Sequence, residues 1–196
     1  MDSGDIVNQI KEFKWNTLQR MYGSAHSSII GFISTEWINK SKENSILDGP
    51  PSPLIGKGWK GQKHADILLC KKDKPFIVVE VETEVKNYSK KIDSIIQYLG
   101  NNEVFNGLKF GLLFMSNLRN HNEKYKHKLD QIKEELKKQK FSIALVSVVK
   151  EKSKFQPSVL SDLRNRNVYS QWEIDKIDYW IHTEDHIVKE GNLWKK

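Results

Sequence analysis

Three acidic side chains stand where two predicted β-strands would bring them together. Glu80 and Glu82 are two residues apart in the β-branched segment 76–83, so both project from one face of a strand. Asp66 lies near the start of the apolar segment 65–70, and pairing the two segments as a hairpin places it opposite Glu80, to within about two residues. Acids are depleted in strand interiors, and a buried charge is costly without a partner. We therefore predict that three carboxylates converge in one pocket.

A divalent cation is the partner that such a pocket favours, because mutual repulsion would otherwise raise the pKa values of the carboxyls. Mg²⁺, with Mn²⁺ as a possible substitute, takes oxygen ligands and is usually held by one or two carboxylates together with substrate phosphate. The chemistry is then metal-assisted hydrolysis of a phosphodiester bond. The alternative is an ordinary strand with one solvent face, which shows the same alternation. The buried site is favoured because residues 76–79 are apolar on both faces of the strand. It is also favoured because Asp66 lies in a second apolar segment, at the level expected for Glu80.

The same residues carry a family resemblance. Gly61–Leu69 followed by Ile77–Glu82 resembles the PD-(D/E)xK nuclease superfamily, in which an acid begins one strand and an acid–x–lysine follows on the next. The resemblance covers about two thirds of the chain, over 27–149, and it implies a restriction-endonuclease-like fold. Glu82 stands where lysine is usual, and a Glu-x-Glu-Thr arrangement is found in some restriction endonucleases. Elsewhere in the family the lysine migrates, and an inactive site is a further alternative. The candidates for a migrated lysine are Lys60, Lys63, Lys86 and Lys90.

The resemblance also implies roles for individual residues. The implied ligands of Mg²⁺ are Asp66, Glu80, the carbonyl of Val81, and Glu36 as an outer ligand. Glu82 would orient or deprotonate the attacking water, and Lys63 would complete the catalytic set. Glu36 is explained at least as well as a solvated glutamate on a helix beside Trp37.

Basic and aromatic residues flank the predicted site. A glycine-rich stretch with lysines and one tryptophan leads into Asp66, and glycine lets a backbone approach phosphates that lysines neutralise. A flexible surface loop is the alternative. Lysines also open the following helix, where the macrodipole disfavours them, and a helix glutamine resembles one that some family branches aim at the substrate. The predicted nucleic-acid-binding residues are Lys57, Trp59, Lys60, Lys63, Lys86, Lys90 and Gln97.

The elements that must position these residues follow from hydrophobic periodicity. Two helices, a long loop and the hairpin come first, followed by helix, strand, helix and strand. This order predicts an α/β (α+β) fold with a mixed central sheet flanked by helices. We expect residues 1–150 to form a nuclease-like core with N-terminal helices, and residues 151–196 to form a helical appendage that serves dimerisation or target recognition. The appendage is predicted to hold helices near 158–165 and 172–182.

Composition narrows the class of protein. The chain has 196 residues, a net charge of +7 and one cysteine, which argues against a disulfide framework and favours a polyanionic partner. No apolar run approaches a membrane span, and the acidic start does not resemble a signal peptide, so we expect a cytoplasmic protein. The leading expectation is a Mg²⁺-dependent DNA endonuclease, most like a type II restriction enzyme and acting as a homodimer. A repair or structure-specific nuclease, an inactive nucleic-acid-binding module and an ordinary protein-interaction domain are the alternatives.

Overall fold

A computed structural model of the chain describes residues 3–20, 26–47, 64–83, 87–100, 107–119, 123–152 and 172–195. Within these ranges the chain forms five helices and seven strands. The helices are α1 (Ser3–Lys11), α2 (Trp15–Arg20), α3 (His26–Ser41), α4 (Tyr88–Gly100) and α5 (Glu123–Lys137). The strands are β1 (Ser45–Leu47), β2 (Ile67–Lys71), β3 (Lys74–Glu82), β4 (Phe110–Arg119), β5 (Ile143–Lys152), β6 (Trp172–His182) and β7 (Val188–Lys195).

The strands form one mixed sheet in which spatial order follows chain order. β1, β2 and β3 are antiparallel neighbours, β4 and β5 continue from β3 in parallel, and β6 and β7 are again antiparallel. Parallel neighbours need a crossover connection, and α4 and α5 lie in the two crossovers. The predicted mixed sheet with flanking helices is confirmed. Among the helices that the structure describes, none is long and apolar enough to cross a membrane.

Both faces of the sheet are buried, and this explains the nearly continuous apolar runs of its central strands. On β3, Val79 packs into a cluster with Trp37 of α3, and α1 and α2 contribute to the same cluster. Val78 points to the other face, where it packs with Ile92 of α4 and Ile132 of α5. Residues that alternate along β3 therefore face α3 or α4, and this alternation decides which acidic side chains can meet.

The β2–β3 hairpin has the register that its sequence predicts. Leu69 lies opposite Ile77, as expected from a turn over 71–75. The two residues between the strands, Lys72 and Asp73, have φ angles of 50° and 60°, which is the left-handed conformation of a two-residue hairpin turn. Asn44 Nδ2 donates a hydrogen bond of 2.6 Å to the Asp73 carboxylate and so supports the turn.

The helix predicted near 172–182 is wrong, because this segment is strand β6, paired with β5. The spacing of Ile174 and Ile177 imitates a helical period. In the structure the pairing shifts between Val149 and Lys150, so that one extra β6 residue bulges and both isoleucines face the same buried cluster. A sequence-based period cannot distinguish such a bulge from a helical turn.

Residues 172–195 therefore extend the central sheet as β6 and β7, where a helical appendage was expected. The expected boundary at residue 150 falls inside β5, which ends at Lys152. The helix expected near 158–165 lies outside the described residues, as does most of the glycine-rich stretch before Asp66.

Replacing Gly111 with alanine should destabilise the protein by about 1–3 kcal/mol. Gly111 lies on β4 beneath α4, and an added Cβ would overlap the Ile95 side chain and press on Leu99 and Ile143, each 3.4 Å away. Urea unfolding measures the loss. Gly31→Ala is the matched control, because nothing lies within 4 Å of an added Cβ there and alanine is the better helix former. Equal stabilities of wild type and the Gly111 variant would contradict the close packing of α4 on β4.

Candidate active site

The hairpin brings Asp66 and Glu80 to the same place. Ile67 pairs with Val79, so one step further along the register Asp66 lies opposite Glu80. The backbone N–H of Val81 donates a 2.7 Å hydrogen bond to Asp66 Oδ2, which ties the carboxylate to the neighbouring strand. The predicted pairing of these two acids across the hairpin is confirmed.

A lysine from the following helix joins the two carboxylates. Lys91 Nζ lies 2.8 Å from Asp66 Oδ2 and 2.7 Å from Glu80 Oε2. The Glu80 side chain is 1% exposed, whereas those of Asp66 and Lys91 are 13% and 23% exposed. The cation that the acids require is thus supplied by the chain itself, from a side chain that is partly exposed to solvent.

Two further residues of α4 hold the acids in position. Ser94 Oγ donates a 2.5 Å hydrogen bond to Glu80 Oε1, so both carboxylate oxygens of Glu80 have a donor from α4. Tyr98 Oη accepts a 2.9 Å hydrogen bond from the backbone N–H of Ala65, the residue before Asp66. Positions three and four apart share one face of a helix, and this face of α4 fixes the geometry of the pocket.

Burial makes the charged form of Glu80 costly. Desolvation is the main reason that the pKa of Glu80 rises to about 7, and repulsion from Asp66 adds to it, while Lys91 and the Ser94 hydroxyl oppose the rise. Burial also acts to lower the pKa of Lys91, but its ion pairs with Glu80 and Asp66 outweigh burial and leave that pKa above its ordinary value. Lys91 is therefore protonated at neutral pH, where Glu80 titrates.

A histidine approaches the pocket from the other side. His26 is the first residue of α3, and its Nε2 lies 3.1 Å from the carbonyl oxygen of Val81 and 3.3 Å from Asp66 Oδ2. The His26 side chain is 43% exposed. It therefore contacts both oxygen atoms while remaining open to solvent.

Glu36, expected as an outer metal ligand, is placed elsewhere. Its Oε2 accepts a 2.7 Å hydrogen bond from the backbone N–H of Lys14, just before α2 begins. Glu36 lies next to Trp37 on α3, and α3 packs against the sheet face of Val79. The Glu80 side chain lies on the opposite face, where α4 packs. The side chain is buried, and its observed contact is with the backbone that leads into α2.

Of the other predicted site residues, three lie within the described ranges and five lie outside them. Glu82 is buried two residues beyond Glu80 on β3, Lys90 is exposed on α4, and Gln97 is half-buried on α4. The Oε1 of Gln97 has no hydrogen-bond partner among the atoms that the structure describes. Five predicted residues lie outside the described ranges, and the structure says nothing of them: Lys57, Trp59, Lys60, Lys63 and Lys86.

Sequence reasoning noted that lysines open the helix after β3 but did not select Lys91, and it missed His26 altogether. A signal for Lys91 was available in the helical period, because Lys91 follows Tyr88 by three residues and so falls on the buried face of α4, next to Ile92. Lys90, which was chosen as a candidate, points away from that face and is exposed. No comparable signal exists for His26, since its contact with Val81 spans 55 positions of the chain.

The donor set fits a divalent ion in part. Among the described residues, no three side chains of the His, Cys, Asp or Glu types are arranged to hold a metal by themselves. The Asp66 carboxylate and the Val81 carbonyl do lie together, both within 3.3 Å of one atom, His26 Nε2. Oxygen donors of this kind, completed by water and substrate phosphate, are what Mg²⁺ and Mn²⁺ require.

No protein-family model, curated protein sequence or solved structure matches this chain. Membership of a family is therefore not shown. What the site can do follows from the residues that the fold brings together.

Proposed function

We propose that this protein is a metal-dependent DNA endonuclease, most like a type II restriction endonuclease. The observation that carries the proposal is the bridge from Lys91 to Asp66 and Glu80. Two acids from neighbouring strands and a lysine are the set that the resemblance implies. The lysine missing at position 82 is replaced in space by one from α4.

The order of elements around the site supports the same proposal. α3 precedes the antiparallel β1–β2–β3 unit, α4 follows, and β4 then pairs in parallel with β3. This order is similar to the core that the resemblance implies, with Asp66 directly before β2, Glu80 on β3 and α4 packed above them. The net charge of +7 is compatible with a DNA partner.

Each residue of the site has a task in phosphodiester hydrolysis. A bound Mg²⁺ or Mn²⁺ would polarise the scissile phosphate and lower the pKa of a water ligand. Asp66, Glu80 and the Val81 carbonyl would supply oxygen ligands to this ion. The Lys91 ammonium stabilises negative charge that develops on the phosphoryl oxygens, and Ser94 keeps Glu80 in the rotamer that meets Lys91. Cutting both strands requires two such sites, so the proposal includes a homodimer.

A second function has one observation in its favour. Lys91 forms ion pairs with both Asp66 and Glu80, and Glu82 stands where lysine is usual. This arrangement also suits a nucleic-acid-binding module without catalysis. Salt-sensitive DNA binding that Glu80→Ala leaves unchanged, together with no cleavage, would favour this second function.

Incubation with supercoiled plasmid tests the nuclease. We expect cleavage with Mg²⁺ or Mn²⁺, none with a chelator, and a rate at least about a hundredfold lower for Glu80→Ala, because this change removes a carboxylate from the bridged pair. Discrete fragments would indicate restriction, whereas a smear or cutting at junctions alone would indicate a repair or structure-specific nuclease. Equal cleavage by both proteins, or no cleavage with any divalent ion, would overturn the proposal.

A further inference from the structure

We propose that the pair His182–His186 is a pH-sensitive contact, which holds the β6–β7 turn closed while both imidazoles are neutral and releases it when the pair takes up a proton. The turn is formed by residues 183–187, between the two strands. The proposal concerns a part of the fold that the proposed hydrolysis does not use, and it involves no residue of the candidate active site.

The two histidines meet across the turn. His182 is the last residue of β6 and is buried, whereas His186 is exposed. His186 Nδ1 lies 3.3 Å from His182 Nε2, and the two ring centroids are 5.4 Å apart. The His182 ring also stacks on Trp180, with an angle of 10° between the two ring planes. The hydrogen bond and the stacking together fix the orientation of the His182 ring.

The turn itself is held by a small set of local hydrogen bonds. The backbone N–H of Thr183 donates to the carbonyl of Ile187 over 3.0 Å, and the N–H of Ile187 donates to Thr183 Oγ1 over 3.1 Å. His186 has a φ angle of 59°, a left-handed conformation that is costly for a residue other than glycine. The contact between the two imidazoles opposes this cost, so its loss should let the turn open locally.

Burial selects the tautomer of neutral His182. Its Nδ1 is buried and, within the described part of the chain, has no hydrogen-bond partner. A proton on Nδ1 would therefore be a buried donor without an acceptor, which is costly. The proton of neutral His182 accordingly lies on Nε2, which donates it to His186 Nδ1.

A proton taken up by either ring removes this hydrogen bond. On His186 the proton occupies the Nδ1 lone pair that accepts the bond, and reversing the bond would put a proton on the buried Nδ1 of His182. On His182 the proton places a charge in a buried position. Burial is the main reason that the pKa of His182 lies below its ordinary value of 6.5, and repulsion from His186 and from Lys137 of α5 lowers this pKa further.

The charged groups around His182 do not favour its protonation. Lys137 approaches from α5 and is itself paired with Glu134. The residues opposite His182 on the neighbouring strands, Ile143 and Val188, carry no charge. The remaining charged groups of the turn and of the start of β7 are exposed to solvent: Glu184, Asp185 and Lys189.

Acid should therefore open the turn. Because the pKa of His182 is lower in the closed form than its ordinary value, the open form binds the proton more tightly. The stability of the closed turn is fully present above pH 6.5, and it is lost as the pH falls from 6.5 toward the lower pKa of the closed form.

Nuclear magnetic resonance of the full wild-type chain tests the proposal without any variant. Long-range ¹H–¹⁵N spectra of the histidine rings should show the proton of His182 on Nε2 at pH 7.5. His182 should titrate at a lower pH than His127, an exposed histidine of α5. A proton on Nδ1, or a midpoint of His182 at or above that of His127, would overturn the proposal.

Amide hydrogen exchange measures the opening itself. After correction for the intrinsic pH dependence of exchange, the protection factor of the Ile187 amide should fall by up to about tenfold from pH 7.5 to pH 5.5. The variant His182→Gln/His186→Asn keeps an N–H donor and an acceptor that do not titrate, and asparagine tolerates a left-handed φ. Its Ile187 protection should be equal at the two pH values, while the control His127→Gln should follow the wild type.

Two results of the exchange experiment would count against the histidine pair. One is wild-type protection that does not change with pH, and the other is a fall of equal size in the double variant, which would assign the pH dependence to other groups. Should the double variant not fold, the ring titration of the wild type decides by itself.

Discussion

The Lys91→Ala protein should cleave DNA on the order of 10³-fold more slowly than the wild type, at saturating metal and substrate. Lys91 is the only described cation that contacts both acids of the pocket, at 2.8 Å from Asp66 and 2.7 Å from Glu80. A positioned charge that stabilises the transition state in a partly dry site is worth about two to four orders of magnitude in rate. Single-turnover cleavage of a radiolabelled fragment measures the effect on the chemical step.

Lys40→Ala is the matched control for this experiment. Lys40 is an exposed lysine near the end of α3, whereas His26, at the start of that helix, is the residue that reaches the pocket. The control removes the same charge from the protein without touching the acids, so its rate should stay within about twofold of the wild type. Equal rates for wild type and Lys91→Ala would contradict the role given to the bridge.

Lys91→Ala should also lower the free energy of unfolding, and this effect is measured separately from the cleavage rate. Removing Lys91 leaves the buried Glu80 carboxylate beside Asp66 without its cation, and breaking such a pair costs about 3–5 kcal/mol. A divalent ion should restore part of this stability, because it supplies the missing positive charge. Stability recovered by Mn²⁺ together with a rate that stays low would show that Lys91 acts in the reaction as well as in the fold.

Replacing Glu80 with glutamine should stabilise the protein at pH 8 while abolishing metal-dependent cleavage. The pKa of Glu80 is about 7 in the folded protein against an ordinary value of 4.5, so the folded state binds this proton more tightly than the unfolded state. The free energy of unfolding of the wild type therefore falls as the pH rises from about 4.5 to about 7, by up to about 3 kcal/mol. Glutamine imitates the protonated side chain and removes this dependence.

Urea unfolding at several pH values between 4.5 and 8 tests the sign of this pH dependence of the free energy of unfolding. The wild type should lose stability across this window, Glu80→Gln should remain nearly level, and the control Glu12→Gln, at an exposed glutamate, should follow the wild type. The contribution of Lys91 stays constant across this window, because its raised pKa stabilises the folded state at every pH below the ordinary value of 10.5 and this stabilisation is lost only above that value. A wild-type curve that rises from pH 4.5 to 7 would contradict the cost assigned to burying Glu80.

Short-range patterns predicted the part of the site that lies on one hairpin. The two-residue period places Glu80 and Val78 on one face of β3, and the turn length sets the register that brings Asp66 opposite Glu80. Both follow from backbone geometry that neighbouring residues impose on one another. The same reasoning failed for β6, because a bulge between Ile174 and Ile177 gives two strand residues a helical spacing.

By itself the sequence determined the alternation of acids and apolar residues along β3, and hence that Glu80 and Glu82 share a face. Only the tertiary structure decided what meets them. The rotation of α4 over the sheet brings Lys91, and not Lys90, to the acids, and the packing of α3 carries His26 to the hairpin while turning Glu36 toward Lys14. These contacts join residues 11 to 55 positions apart. They depend on how buried helix faces fit the sheet, a property of the whole core that no local spacing encodes.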